Sequence, residues 1–233
     1  MSNNKISVII PCYNEEKTIE QIITEVKKQK DLICEIIIVD DMSTDSSRKI
    51  ISKLSEENEI IKTIFKDKNE GKGSALIKGF EKAKGDIVLI QDADLEYDPS
   101  EYKKLLKPFL VSNADVVYGS RFLGGDMVRL HFFWHYLANK ILTFVCNIFT
   151  NLNMTDMETG FKVFKSEVIK SINLKENSFG IEPEITIKLA KKKFKFYEVA
   201  VSYRGRSYSE GKKITLKDAF WAVFCILRYR FFD

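Results

Sequence analysis

The sequence predicts an α/β fold, a mostly parallel central sheet flanked by helices, and three observations point to it. Continuous β-branched runs, EIIIV at 35–39 and DIVLIQ at 86–91, have the composition of strands buried on both faces. Between them lie stretches whose apolar residues recur at helical spacing, such as Ile19, Ile22, Ile23 and Val26. With 233 residues, 45% of them hydrophobic, and only 11 Gly and 4 Pro, the chain can bury one substantial core and is neither disordered nor collagen-like.

Taken in order, residues 5–10 read as a strand, 15–30 as a helix and 35–39 as a strand. The next helix, 44–57, opens on the capping cluster Ser43, Thr44 and Asp45. A strand at 60–66, a helix at 73–84 and a strand at 86–91 follow. Pro99 suits the first turn of a helix over 99–111, and 115–118 is a strand. This βαβ alternation gives a mostly parallel sheet covered by helices. The second half is less regular: an aromatic-rich helix over 130–150, a helix over 183–193, a strand over 194–203 and an amphipathic helix over 215–229. No internal repeat or long linker divides the chain, so one domain over 1–233 is expected.

Cys12, Cys34, Cys146 and Cys225 lie far apart with no CxxC pair, which fits neither a zinc site nor a disulfide framework and suits a reducing, intracellular setting. The N-terminus lacks a signal-peptide shape, and no stretch reaches the roughly 18 apolar residues of a membrane span. The nearest approaches are 131–150, broken by Asn139, Lys140 and Asn147, and 219–227, which ends at Arg228 and Arg230. A soluble protein able to sit on a membrane is expected. The net charge is +4, yet residues 186–233 hold twelve Lys/Arg against four acids, a surplus of eight that leaves 1–185 at −4. A basic end beside an acidic body suits an anionic partner: phosphate, nucleic acid or anionic lipid.

Ligands of parallel sheets bind at the carboxyl ends of the strands, so the loops after Ile10, Val39 and Gln91 should share one edge. They carry PCYNEE, DDMSTD and DADLEYD. In the last, Asp92, Asp94 and Glu96 crowd carboxylates into one volume, a pattern suited to Mg²⁺ or Mn²⁺ and equally found in a solvated acidic loop. Asp40 and Asp41 are free for a nucleobase or ribose if Ser43–Asp45 cap the helix. NEGKGS at 69–74 combines two glycines, a helix start and Lys72; it is either an anion cradle or a tight turn. His131 and His135 stand i, i+4 but lack an HExxH context, and an aromatic amphipathic helix explains them better. Phe132, Phe133, Trp134 and Tyr136 suit a core or a lipid-facing role, and Lys191–Lys193 a solvated face or a lipid contact.

PCYNEE, VDDMSTDSS, NEGKGSALIKGF, DIVLIQDADLEYDP, DVVYGSRF, TDMETGFKVF and GRSYSEGKK occur in this order over nearly the whole chain. Together they resemble the inverting family-2 glycosyltransferases of GT-A (nucleotide-diphospho-sugar transferase) fold, in the branch of dolichol- and polyprenyl-phosphate sugar synthases. The resemblance implies a nucleotide-sugar-binding half at 1–125 and an acceptor-side half at 126–233 that includes the C-terminal amphipathic helix. It implies that Pro11, Tyr13 and Glu15 contact the nucleotide, that Val39 and Asp41 hold base and ribose, and that Lys72 adds charge beside the donor. Asp92, Ala93 and Asp94 match the metal and diphosphate motif, with Asp94 a metal ligand and Glu96 a second one where relatives often have Gln. Arg121 matches an arginine near the phosphates, and Arg206 and Lys212 match basic residues of a closing loop; with Asp94 these four form the implied catalytic set. Asp156 and Glu158 fall in the acceptor-side segment, suited to positioning sugar or acceptor, while Glu182 and Glu184 suit either a helix cap or a sugar contact.

The implied reaction moves a hexose from a GDP-mannose or UDP-glucose type donor to a polyprenyl or dolichyl phosphate, with Mg²⁺ or Mn²⁺ as cofactor. A lipid phosphate is already an oxyanion, so no essential base is expected; cations stabilise the leaving diphosphate. The alternative is a hydroxyl acceptor in cell-surface polysaccharide synthesis, which would need a base. The implied partners are the sugar nucleotide, the lipid phosphate, the cytoplasmic membrane face and, compatibly, a membrane protein; no nucleic-acid motif is present. A nucleotide-binding module without turnover fits poorly with an intact DAD motif beside Arg206 and Lys212. Because the chain ends at Asp233 after one amphipathic helix, it is expected to resemble the catalytic-domain-only members.

Overall fold

The computed structural model describes residues 5–124, 132–206 and 216–233. Strands β1 (Ile6–Cys12), β2 (Ile33–Asp40), β3 (Ile61–Phe65), β4 (Ile87–Ile90), β5 (Val116–Ser120), β6 (Lys162–Lys165) and β7 (Phe196–Ala200) form one sheet in the order β3-β2-β1-β4-β6-β5-β7. β1 runs parallel to β2 and β4, β2 to β3, and β5 to β7; β6 alone is antiparallel, to both β4 and β5.

The expected alternation is present in the first half, as helices α1 (Ile19–Lys27), α2 (Ser47–Glu56), α3 (Lys72–Lys82) and α4 (Tyr102–Val111), the last entered through a short 3₁₀ turn at Pro99–Glu101. α1 and α2 start later than the sequence pattern suggests because residues 13–18 and 41–46 belong to the strand-end loops. In the second half α5 (Phe133–Thr150), α7 (Ile181–Lys191) and α8 (Leu216–Phe231) match expected helices. Strand β6 and the short helix α6 (Ser166–Lys170) are additional elements.

Strand alternation sends side chains to two cores. Ile6, Val8 and Ile10 of β1 pack with α1, α2 and α4 on one face. Ile9, Ile37 and Val39 pack with α3, α7 and α8 on the other. Both faces are thus covered, as the continuous apolar runs require. All four cysteines are free thiols. No helix among the described residues is long and apolar enough to cross a membrane.

Candidate active site

The loops after β1, β2 and β4 do share one edge, and each contains a non-glycine residue in the left-handed region: Asn14 (φ 54°), Met42 (φ 63°) and Leu95 (φ 63°). Such backbone is costly for L-residues and persists where the surroundings fix it. Here the fixing bonds are visible. Asn14 accepts from the Thr44 amide at 2.8 Å, and the amides of Asn14 and Glu15 donate to Ser43 Oγ and Ser47 Oγ at 3.0 and 2.9 Å, stitching the first two loops together. Buried Gln91 closes the third loop: its Nε2 donates to the Tyr97 carbonyl at 3.2 Å while its Oε1 accepts from Tyr102 at 2.9 Å.

Asp40 and Asp41 are not free, which corrects the expectation drawn from their neighbours. Asp40, fully buried, accepts from the Ser43 amide at 3.1 Å and pairs with Arg48 Nε at 2.9 Å. Asp41 binds Lys66 Nζ at 2.5 Å and the amides of Glu70 and Gly71 at 3.1 and 2.6 Å. A carboxylate shut away from water must find such partners. Asp45 does cap α2, accepting from the Ser47 amide at 2.9 Å.

The NEGKGS segment is likewise committed internally. Gly71 has φ 102°, and a Cβ at Gly73 would stand 2.1 Å from the Glu176 carbonyl, so these glycines admit the chain's own segment 176–178 rather than a ligand. The Ser74 amide donates to the Asn177 carbonyl at 3.0 Å. Lys72, by contrast, reaches the cleft floor, pairing with Asp92 at 2.8 Å and Glu182 at 3.2 Å. Burial opposes its charge, but these two carboxylates outweigh that effect and raise its pKa.

These loops border an open cleft of about 410 Å³. Pro11, Tyr13, Glu15, Asp41, Lys72, Asp92, Ala93, Asp94, Glu96, Arg121 and Arg206 all line it, so the structure gathers residues spread over the whole sequence. Val39 does not join them: it is fully buried in the core facing α3. Lys212 lies outside the described residues, as does His131.

Arg206 is the counter-charge of the acidic loop. Its guanidinium meets Asp94 Oδ2 at 3.0 Å, Glu15 Oε2 at 3.2 Å and Glu96 Oε1 at 3.6 Å. Burial, then Asp92 and Glu96, push the Asp94 carboxyl up to about 7, against the pull of Arg206. Glu96 is occupied otherwise than expected: Oε2 accepts from the Tyr203 hydroxyl at 2.6 Å and Oε1 from the Arg206 amide at 2.8 Å, while its carbonyl takes the Arg204 amide at 2.9 Å. Tyr97 and Tyr203 form an isolated bridge alongside.

Among the described residues no three His, Cys, Asp or Glu side chains converge into a complete metal cage. Asp92 and Asp94 still offer oxygen-only ligands facing an open cleft, where cations now stand against them. That donor set fits a hard divalent ion, which commonly takes one or two carboxylates and completes its shell with phosphate oxygens and water. Glu96 lines the same cleft and, like Asp92 on Lys72 and Asp94 on the Glu96 amide and Arg206, has both carboxylate oxygens engaged in this arrangement.

Across the cleft Arg121, at the end of β5, is held by a bidentate pair with Asp156, Nε and Nη2 each at 2.6 Å, and its own amide donates to the same carboxylate at 3.0 Å. Asp156 is fully buried, so it aims Arg121 instead of touching a ligand. Arg121 holds the Asp156 pKa below the usual carboxylate range although burial acts the other way. Glu158 lines the cleft, and burial followed by the nearby Glu182 charge raises its carboxyl to about 8. Buried Lys162, whose Nζ donates to the Thr159 carbonyl, is lowered by desolvation to about 8. Glu182 and Glu184 part company: Glu184 accepts the Lys175 and Glu176 amides away from the cleft, whereas Glu182 faces it.

Residues 7–172 match the glycosyl transferase family 2 model. The chain is 33% identical over 217 residues to the dolichol-phosphate mannosyltransferase of Pyrococcus furiosus, covering 90% of this chain and 60% of that protein. It is 29% identical over 222 residues to the undecaprenyl-phosphate 4-deoxy-4-formamido-L-arabinose transferase of Proteus mirabilis, covering 92% of this chain and 64% of that one. It therefore spans less than two thirds of the length of either relative. Among solved structures, the glucosyl-3-phosphoglycerate synthase of Mycobacterium tuberculosis, crystallised with Mn²⁺, UDP and phosphoglyceric acid, superposes with a TM-score of 0.76. The two are 20% identical, and the match covers 99% of this chain and 80% of the other, so the GT-A fold is shared. By the span of its family match, supported by a sheet whose strand-end loops carry the same ordered motifs, this chain belongs to glycosyl transferase family 2.

Proposed function

We propose that the protein transfers a hexose from a nucleotide diphosphate sugar to a polyprenyl phosphate at a membrane surface. One observation carries this reading: Arg121 and Arg206 line the same cleft as the acidic Asp92–Asp94 loop, which suits a reaction that assembles several anions. Relatives named for dolichol- and undecaprenyl-phosphate transfer support the acceptor class.

In this reading Pro11, Tyr13 and Glu15 border the nucleotide, and Asp41 acts by holding the 69–71 loop in place. Asp94, with Asp92, would hold Mg²⁺ or Mn²⁺, which supplies positive charge for the leaving diphosphate. Arg121, aimed by Asp156, and Arg206 meet phosphate oxygens, where preorganised cations favour the charge that develops on the leaving group. Lys212 belongs to the same proposal. The acceptor phosphate, already ionised, attacks the anomeric carbon without a base. Expulsion of the nucleotide from the opposite side inverts the centre.

The acceptor's hydrocarbon would lie near α5 and α8. Phe144 and Ile148 of α5 are exposed, as are Phe220, Phe224 and Phe231 of α8, and the two helices meet through Phe149 and Phe231 at 5.6 Å. Arg228 and Arg230 stand on the same helix, a composition suited to an anionic lipid surface.

The test is transfer of radiolabelled hexose from UDP-glucose and from GDP-mannose to polyprenyl phosphate in vesicles, with Mg²⁺ or Mn²⁺. A glycosyl-phospholipid product that disappears in Asp94→Ala supports the reading. Turnover restricted to glycan hydroxyls would refute it and favour the alternative acceptor.

A further inference from the structure

We infer that Asn139 and Thr143 of α5 are positioning residues that set the direction of Arg121, which rests on the reading of Arg121 as a phosphate contact. Asparagine inside a helix competes for the backbone and is disfavoured there, yet α5 carries Asn139 and Asn147 in an otherwise apolar stretch. With Thr143 they stand at i, i+4 and i+8, on one face, and Lys140 adjoins them. That face is bonded to residues 154–157. Asn147 donates to the Met154 carbonyl at 2.8 Å and accepts its amide at 3.1 Å, and Lys140 Nζ donates to the Thr155 carbonyl at 3.2 Å. Thr143 Oγ1 accepts from the Met157 amide at 3.1 Å, and Asn139 Nδ2 donates to Asp156 Oδ1 at 3.3 Å. The exposed Ile141, Phe144 and Ile148 lie elsewhere on the helix.

Of these contacts, the one made by Asn139 reaches a side chain instead of the backbone, and that side chain is the carboxylate gripping Arg121. The order of the bonds fixes which way each group donates. Because the Met157 amide donates to Thr143 Oγ1, the hydroxyl hydrogen is left for Asn139 Oδ1, at 3.2 Å. With its oxygen engaged, the Asn139 amide presents its NH₂ to Asp156 Oδ1, which also takes Arg121 Nη2 at 2.6 Å. A flipped Asn139 would instead aim its own oxygen at a fully buried carboxylate. From β7, the Glu198 carboxylate holds the Thr155 and Asp156 amides at 2.9 and 3.2 Å. Asp156 is thereby held by α5 through its side chain and by β7 through its backbone. Fixing that carboxylate fixes the guanidinium bonded to it at two points, so α5 directs an arginine it does not touch. Asp156 Oδ2 completes the grip on Arg121 Nε and on its amide, at 2.6 and 3.0 Å.

The Nε–H of Arg121 reports on this directly. Its ¹⁵N-edited NMR signal in the ligand-free full chain is assigned by its loss in Arg121→Lys. Asn139→Ala should speed its solvent exchange at least about tenfold, and so should Thr143→Val, although Thr143 touches neither partner of the ion pair. Thr143→Ser, which keeps the hydroxyl, should restore the wild-type rate. Asn147→Ala breaks two bonds between the same helix and the same segment, and should change the rate less than about threefold. Calorimetric affinity for UDP or GDP with Mg²⁺ should fall about three- to tenfold in Asn139→Ala, and that loss should vanish in an Arg121→Lys background, because residues acting through one group are not additive. An unchanged exchange rate in Asn139→Ala, or equal acceleration in Asn147→Ala, would assign α5 a purely structural role and overturn the inference. Additive affinity losses in the double variant would do the same. Should Asn139→Ala fail to fold, Thr143→Val with its serine rescue carries the same test. If Arg121→Lys bound both nucleotides as wild type does, the phosphate reading of Arg121 would fall, and the exchange rates would still decide whether α5 directs it.

Discussion

Replacing Asp41 by Ala separates a scaffold role from a ligand role. Asp41 is 3% exposed and binds Lys66, itself 8% exposed, at 2.5 Å, as well as two amides of the 69–71 loop. Removing one partner of a buried ion pair costs about 3–5 kcal/mol. Lys66 would keep Ser74 at 2.7 Å and the partly exposed Glu70 at 3.0 Å, which places the loss at the lower end. At about 3 kcal/mol and 2–4 °C per kcal/mol for a chain of this size, the unfolding midpoint should fall by about 6–12 °C. Scanning calorimetry of the ligand-free protein measures this directly. The double variant Asp41→Ala/Lys66→Met should recover more than half of the loss, because an apolar replacement removes the stranded charge. A midpoint within 2 °C of wild type for Asp41→Ala, or no recovery in the double variant, would refute the reasoning and return Asp41 to the role of a nucleotide contact.

Asp156→Asn should destabilise by about 3–5 kcal/mol at pH 7, since Arg121 would lose its bidentate partner. The folded pKa of Asp156 is lowered, so the pair's contribution is full above the ordinary aspartate value of about 3.9 and is lost as pH falls through the folded value; urea midpoints of the two proteins should differ fully above that ordinary value and draw together only below it. Tyr229→Phe removes a 2.6 Å hydrogen bond to buried Glu176 and should cost about 1.5–3 kcal/mol by urea denaturation, with Trp221 still donating to the same carboxylate. Phe220→Ser/Phe224→Ser should lower partitioning onto phosphatidylglycerol vesicles at least about tenfold in a sedimentation assay, since each buried Phe contributes roughly 1.5–3 kcal/mol; the thermal midpoint of these exposed sites should stay close to wild type.

The parallel half of the sheet was legible because buried strands must be continuously apolar, and EIIIV and DIVLIQ have few other uses. That logic also located the strand-end loops, hence most of the cleft. It could not find β6, four residues long with Lys at both ends, because its place between β4 and β5 is set by pairing with strands distant in the chain. The roles of individual acids were hidden for a similar reason. Asp41 is claimed by Lys66, 25 residues on, and Asp156 by Arg121, 35 residues back, and no local pattern announces either partner. Glu182 and Glu184 look alike in sequence; only helix geometry turns one to the cleft and the other to the 175–176 amides.

The grip of Glu96 on the chain beyond β7 has a mechanical consequence. Its two carboxylate oxygens and its carbonyl hold Tyr203, Arg204 and Arg206, so the acidic loop and residues 203–206 are riveted into a single unit. Neither can tilt without carrying the other. Negative charge brought into the cleft thus pushes on the acids and pulls on the arginine through one shared lever.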